Sequence, residues 1–345
     1  MMSSDTFALY QKIIYNKLMR FKIIVFAILI LFFTATVFAQ KTDKDNKTSN
    51  TQLSEPAELQ IFRKAFPDTT FTATYSERLE DWLVTVSCPT VPANAANQAS
   101  SSSKRREITF CWCEGRLIPE TELKRKSHYL PVLEKYPFGG ELQSPSTYTK
   151  EQIEEYRQAG LASARKNEPF SSQFLSDFLY HGSSRKSVEQ HIVRITFLGH
   201  RVTVNDRIVE PLSRVEKKIL EERKTSTVID TFLKGIDHLD GYNWREIRDV
   251  ERKSLHGSAI AVDFIPAKMN KYIYWRWTKD ILGDKWMLAS LKSRWMPPYE
   301  IINIFEEEGF IWGGKWLIWD NMHFEYRPEL IEYAKSSLQT APKQN

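Results

Sequence analysis

Seven histidines occur among the 345 residues, and two of them stand near carboxylates at metal-ligand spacing. His256 lies in SLHGSAIAVD, seven residues before Asp263. His323 lies in WLIWDNMHFEYRPEL, three residues after Asp320 and two before Glu325. Two imidazoles and one carboxylate, with a fourth position open, are the donor set of a catalytic zinc ion. A further carboxylate beside the last ligand could take the proton from a bound water. The same residues could also form a structural cluster of ion pairs and hydrogen bonds, and spacing alone leaves both readings open. His128, His181, His191, His200 and His238 have no acidic or histidine neighbour at metal spacing and read as surface or core residues.

The elements that must position these groups can be read from periodicity. Residues 259–264 (AIAVDF) alternate as a strand, with Ala259 and Ala261 on the face of Asp263. A carboxylate on an otherwise apolar strand is costly unless paired or metal-bound, and the small neighbours leave room for a ligand. Pro297-Pro298 opens a helix that Gly309 closes, and Phe310–Trp312, Gly313-Gly314 and Lys315–Trp319 read as a hairpin. Upstream, 80–88 and 108–113 read as strands that pair, joined by a small, polar loop. Residues 150–164, 173–180, 212–222 and 228–236 read as helices, and 192–210 as a β-hairpin turning at Asn205-Asp206. Strands and helices do not alternate as βαβ units, so the fold class is α+β. The Trp-rich stretch from Trp275 to Trp319 reads as packing, or as a groove wall against glycan or peptide.

Composition excludes several classes. At 42% hydrophobic and 26% charged the chain is neither disordered nor fibrous. Its net charge of +5 is modest and spread out, which gives no case for a nucleic-acid partner. Cys88, Cys111 and Cys113 lack the CxxC spacing of a cysteine-built zinc site. In an oxidising compartment Cys88 could bridge to either of the others, and buried free thiols are the equal alternative. Residues 23–39 (IIVFAILILFFTATVFA) carry no charge, follow Lys17, Arg20 and Lys22, and end in Val37 and Ala39 at the −3 and −1 positions of a cleavage site. That is the pattern of a secretory signal peptide, with Met19 as an alternative start, and uncleaved it would be a membrane tether. Either way the remainder is expected outside the cytoplasm, in the periplasm or cell envelope. Residues 40–54 read as a polar linker.

SLHGSAIAVDF followed by WDNMHFE resembles the zinc D-alanyl-D-alanine carboxypeptidase and L-alanyl-D-glutamate endopeptidase family, which includes the vancomycin-resistance D,D-peptidases and several phage endolysins. That family's pattern is S-x-H, seven residues to an Asp, then D/E-x-x-H on a later strand. GYNWREI resembles its upstream segment carrying a substrate-binding Arg, and the resemblance covers roughly Ile192 to Leu330. Many members have Gly at the third position after the first His, where this chain has Ala259; its glycine is Gly257.

The resemblance implies a Hedgehog/DD-peptidase α+β fold over residues 191–335, preceded by an extension (55–190) of unnamed role and followed by a tail (336–345). It implies Zn²⁺ held by His256, Asp263 and His323, with Asp320 as general base. Arg245, with Arg248 and Arg252 as neighbouring candidates, would hold the substrate carbonyl and stabilise the oxyanion, and Ser254 would lie near the substrate. Glu325 is an alternative base, or the acceptor that fixes a histidine tautomer. The expected activity is hydrolysis of peptidoglycan stem peptides by metal-activated water, as a D-Ala carboxypeptidase or an L-Ala-D-Glu endopeptidase. The competing expectation is a non-catalytic wall-binding or scaffolding protein with a structural zinc, which would need neither Asp320 nor Arg245. Nothing in the sequence bears on the oligomeric state.

Overall fold

The computed structural model describes residues 54–90, 104–161, 169–245 and 253–340. The expected leader (1–39) and nearly all of the linker lie outside them. Helix α1 (Leu59–Ala65) leads into an antiparallel sheet of β1 (Thr70–Ser76), β2 (Asp81–Pro89) and β3 (Arg105–Cys111). Strand alternation along β2 buries Val84, Val86 and Cys88 on one face. The register sets Leu83 opposite Cys111 and Cys88 opposite Arg106. Cys88 therefore stands five residues along the ladder from Cys111, roughly 16 Å at strand rise, far beyond disulfide reach. All three cysteines are buried and free.

Short elements follow: β4 (Tyr129–Leu130), α2 (Lys150–Ala159), β5 (Phe170–Ser171), α3 (Phe174–Leu179) and α4 (Arg185–Val188). Thr149 and Gln152 close a capping box on α2, satisfying two of its free amides. The expected hairpin forms as β6 (Ile192–Phe197) and β7 (His200–Asn205), but it turns at Leu198-Gly199 and not at Asn205-Asp206. Both turn residues have positive φ, 51° and 86°, as a two-residue hairpin with right-handed strand twist requires. The buried Asn205 serves elsewhere. It accepts from the Arg207 amide and donates to the carbonyls of Tyr180 and Ser258. After α5 (Val209–Glu222) and α6 (Thr227–Lys234), Gly235 ends the helix, so Ile236, expected in it, instead opens β8 (Ile236–Asp240).

The central sheet comprises β8, β9 (Ala261–Pro266), β10 (Phe310–Trp312) and β11 (His323–Tyr326), in the antiparallel order β10-β11-β9-β8. Helix α7 (Trp275–Leu282) and helix α8 (Tyr299–Glu307) lie between β9 and β10, and α9 (Pro328–Thr340) follows β11. The expected Gly-Gly hairpin does not form. Residues Gly313–Lys315 make a 3-10 turn, and the partner of β10 is β11. A Cβ on Gly314 would lie 2.1 Å from the Trp312 ring, so glycine serves close approach there and not a hairpin turn.

One face of this sheet is core. Val262 and Phe264 on β9, Phe324 on β11 and Phe305 on α8 are buried, with the Phe305 and Phe324 rings stacked at 4.1 Å. Each such side chain contributes about 1.5–3 kcal/mol by burial. Residues Ser54–Asn345 form one compact unit, and Leu59, Phe62 and Phe71 share their core cluster with Phe264, Phe305 and Phe324. The class is α+β, as the sequence pattern leads one to expect. Among the described residues no helix is long and apolar enough to cross a membrane.

Candidate metal centre

The other face of the central sheet carries the chemistry. Because β11 and β9 pair with His323 opposite Asp263, their side chains project side by side while Phe324 and Val262 turn to the core. Ala261, small as the sequence suggests, pairs with Glu325 on the same face. Ala259 is not part of the strand. It ends the 3-10 turn Leu255–Ser258 with φ 58°, a left-handed conformation that favours glycine. That turn presents His256, and the Ser254 hydroxyl caps it by accepting from the His256 amide at 3.3 Å.

The three side chains converge. His323 Nδ1 lies 2.9 Å from Asp263 Oδ1, and His256 Nε2 lies 3.2 Å from both His323 Nδ1 and Asp263 Oδ1. Among the described residues they are the one group of three His, Cys, Asp or Glu with mutually facing donor atoms. The outward atoms fix the tautomers. His256 Nδ1 donates to the Gly241 carbonyl at 2.6 Å, and His323 Nε2 donates to Glu325 Oε2 at 2.9 Å. In the neutral rings, both inward nitrogens then present lone pairs. Two lone pairs and a carboxylate oxygen within 3.2 Å repel one another unless a positive charge sits among them. This donor set fits a divalent zinc-type cation, with a hydrogen-bond acceptor behind each ring: the Gly241 carbonyl and the Glu325 carboxylate.

Electrostatics agree. Burial disfavours the charge on Asp263, yet His256 and then His323 outweigh it and hold the carboxyl well below its usual range. Burial likewise disfavours a charged His323, but its bonds to Asp263 and Glu325 raise its pKa well above normal. Without a cation, a proton on His323 supplies the positive charge that the cluster demands.

Asp320 lies on the loop just before β11. Its Oδ1 is buried with no hydrogen-bond partner among the described residues, while the Met322 amide donates to the carboxylate. Burial and the charge of Asp263 push it up to about 7. A cation in the cluster would oppose that second effect.

These groups open onto a cavity of about 660 Å³ lined by Arg245, Ser254, His256, Asp320, His323 and Glu325. Arg245 is exposed at its edge. Arg248 and Arg252, its alternatives, lie outside the described residues. The other five histidines do not line this cavity, and two of them, His181 and His191, stack on each other with ring centroids 3.4 Å apart.

Four further contributors shape the site. The Gly241 carbonyl orients His256, and a backbone acceptor leaves no mark in residue type. Trp316 packs its ring 5.2 Å from that of His323. Arg327 approaches Glu325 at 3.5 Å while bonding Glu329 at 2.5 Å. The fourth is the upstream chain, since Tyr136, Pro137, Gln173 and Tyr180 wall the same cavity. The Tyr-Pro-Phe-Gly-Gly run at 136–140 was the available cue for it.

A family model described as D-alanyl-D-alanine carboxypeptidase matches residues 248–326. The matched segment includes His256, Asp263, Asp320, His323 and Glu325 and begins three residues past Arg245. It agrees with the resemblance carried by SLHGSAIAVDF and WDNMHFE. No curated protein and no solved structure matches the chain.

Proposed function

We propose that the chain is an exported zinc peptidase of peptidoglycan stem peptides, built on a Hedgehog/DD-peptidase-like domain. The observation that carries this reading is the trio of inward-facing acceptors beside a buried carboxylate with one unpaired oxygen, all inside the matched segment. His256 Nε2, Asp263 and His323 Nδ1 would hold the metal. When bound, zinc polarises a carbonyl and lowers the pKa of water to about 7.

The chain's own groups do the rest. Asp320 accepts a proton from the attacking water and returns it to the leaving amine. Its orphaned Oδ1 has no bond to break before it acts. Arg245, which lines the cavity, would stabilise the substrate carbonyl and the charge that develops there, a contribution of about 3 kcal/mol for one such donor. Ser254 holds the turn that presents His256 and faces the same cavity. Glu325 keeps the His323 proton on the outward nitrogen, which makes it a support for the ligand and not the base. The leader at 23–39 would route the domain to the cell envelope, where such stems lie, or tether it there.

The test is digestion of defined muropeptides by the purified, zinc-loaded chain, read by mass spectrometry with and without a chelator. Chelator-sensitive loss of terminal D-Ala assigns a carboxypeptidase, and a cut between L-Ala and D-Glu assigns the endopeptidase. One zinc bound per chain with no cleavage of any stem would overturn the reading in favour of a structural site.

A further inference from the structure

A buried polar network outside the metal cluster ties the upstream chain to the loop that carries Asp320. Lys315 and Glu306 form an ion pair at 2.5 Å with side chains only 2% and 1% exposed. The Lys315 ammonium spends its other two hydrogens on the carbonyls of Pro137, at 2.9 Å, and Gly139, at 3.0 Å. Glu306 accepts from the Tyr136 hydroxyl at 2.5 Å and from the Gly139 amide at 2.9 Å. Tyr136 in turn accepts from the Trp312 amide at 2.9 Å. The network thus joins the 136–139 segment, the end of α8, the end of β10 and the loop after it.

A buried ion pair is poor evidence for stability, because well-packed apolar residues often do as well. What this one specifies is position. Lys315 directly precedes Trp316, whose ring packs on His323. The same loop closes on itself where the Asp320 amide donates to the Gly313 carbonyl at 3.0 Å and the His323 amide to the Asp320 carbonyl at 3.3 Å. Tyr136, Pro137, Lys315 and Trp316 all line the cavity, so the network's outer surface is cavity wall.

We propose that Tyr136, Glu306 and Lys315 are positioning residues that lock the Gly313–Asp320 loop, and with it the base and the Trp316 wall, against the upstream segment. The upstream chain is then part of the catalytic unit and not an appended domain. This rests on the peptidase reading for its kinetic consequences, but the mechanical claim stands on its own.

The experiment compares wild type with Glu306→Leu/Lys315→Met, which swaps the pair for apolar groups, and with Tyr136→Phe, which removes one hydroxyl and should fold in any case. Three readouts are taken: Tm, hydrogen exchange of the peptide covering 313–322, and kcat and KM on the stem peptide that wild type cleaves. The expected result is Tm within about 3 °C for Tyr136→Phe, a lower Tm for the double variant, which strands the Tyr136 hydroxyl, the Gly139 amide and the two carbonyls, and exchange in 313–322 faster by about tenfold with the β9 and β11 amides unchanged. With it, kcat should fall about 10- to 100-fold at nearly constant KM, and Tyr136→Phe should move the same way by less. Wild-type exchange and kcat in folded variants would overturn the proposal. So would a uniform loss of protection across the whole chain in both variants, which would make the network a stability element. If wild type cleaves no stem peptide, the peptidase reading fails separately, and the exchange of 313–322 alone decides the positioning claim.

Discussion

Removing the Glu325 carboxylate isolates the support for one ligand. In Glu325→Ala, His323 Nε2 loses the acceptor that sits 2.9 Å away, and nothing then keeps the ring proton off the metal-facing Nδ1. A buried hydrogen bond to a charged group is worth about 1.5–3 kcal/mol, which converts to roughly 10- to 150-fold in a binding constant. Outer-shell partners of metal-bound histidines lower affinity by about 10- to 100-fold when lost, the same range from independent reasoning. Arg327 is not stranded by the change, because it keeps Glu329 at 2.5 Å. The variant should therefore fold, bind zinc about 10- to 100-fold more weakly in competition with a chromophoric chelator, and recover most of its kcat at saturating zinc. Glu325→Gln can still present a carbonyl oxygen to Nε2 and should lose less. Wild-type zinc affinity in Glu325→Ala would refute the tautomer argument. A kcat that stays near zero at saturating zinc would show that Glu325, and not Asp320, moves the proton.

Asp320→Asn should leave zinc stoichiometry at the wild-type value and cut kcat by about 10²- to 10⁴-fold; retained turnover would remove Asp320 from the base role. Because His323 is held protonated in the absence of a cation, zinc binding near neutral pH should release about one proton, measured by calorimetry in buffers of different ionisation enthalpy. The sign follows: affinity falls as pH drops, since the metal competes with that proton. Deprotonated Asp320 is the active form, so activity should decline as pH falls through its pKa, with an acid limb below the metal-free value of about 7 because the cation lowers it. Gly199→Ala, at φ 86°, should cost about 1 kcal/mol in urea unfolding without touching zinc affinity.

The candidate site was more legible than the fold around it, for physical reasons. His256, Asp263 and His323 are residue types that a core does not accept without a partner, so their spacing carries information by itself. The strand bearing Asp263 was legible because alternation survives in Val262 and Phe264. Glycine was the main source of error. Gly313-Gly314 read as a hairpin turn, whereas Gly314 exists to clear the Trp312 ring. Gly235 was passed over as a helix stop, which hid the start of β8. Leu198-Gly199 was missed because leucine seldom occupies a positive-φ turn position, and tertiary packing imposes it here. The wall supplied by residues 132–137 had no periodicity to read, and the helix at 173–180, though legible as an element, carries no mark in its pattern of the cavity it faces.

Opposed placement of His323 and Asp263 on adjacent strands makes chain length count in steps of two. One residue inserted into β9 ahead of Asp263, or into β11, would turn a ligand toward Phe264 and Phe305 and bring an aromatic ring to the cavity. Insertions after β9 or between α7 and α8 leave that pairing untouched. Length variation among descendants of this sequence should therefore collect at 267–272 and 283–297, while the strands that carry the ligands keep their residue count.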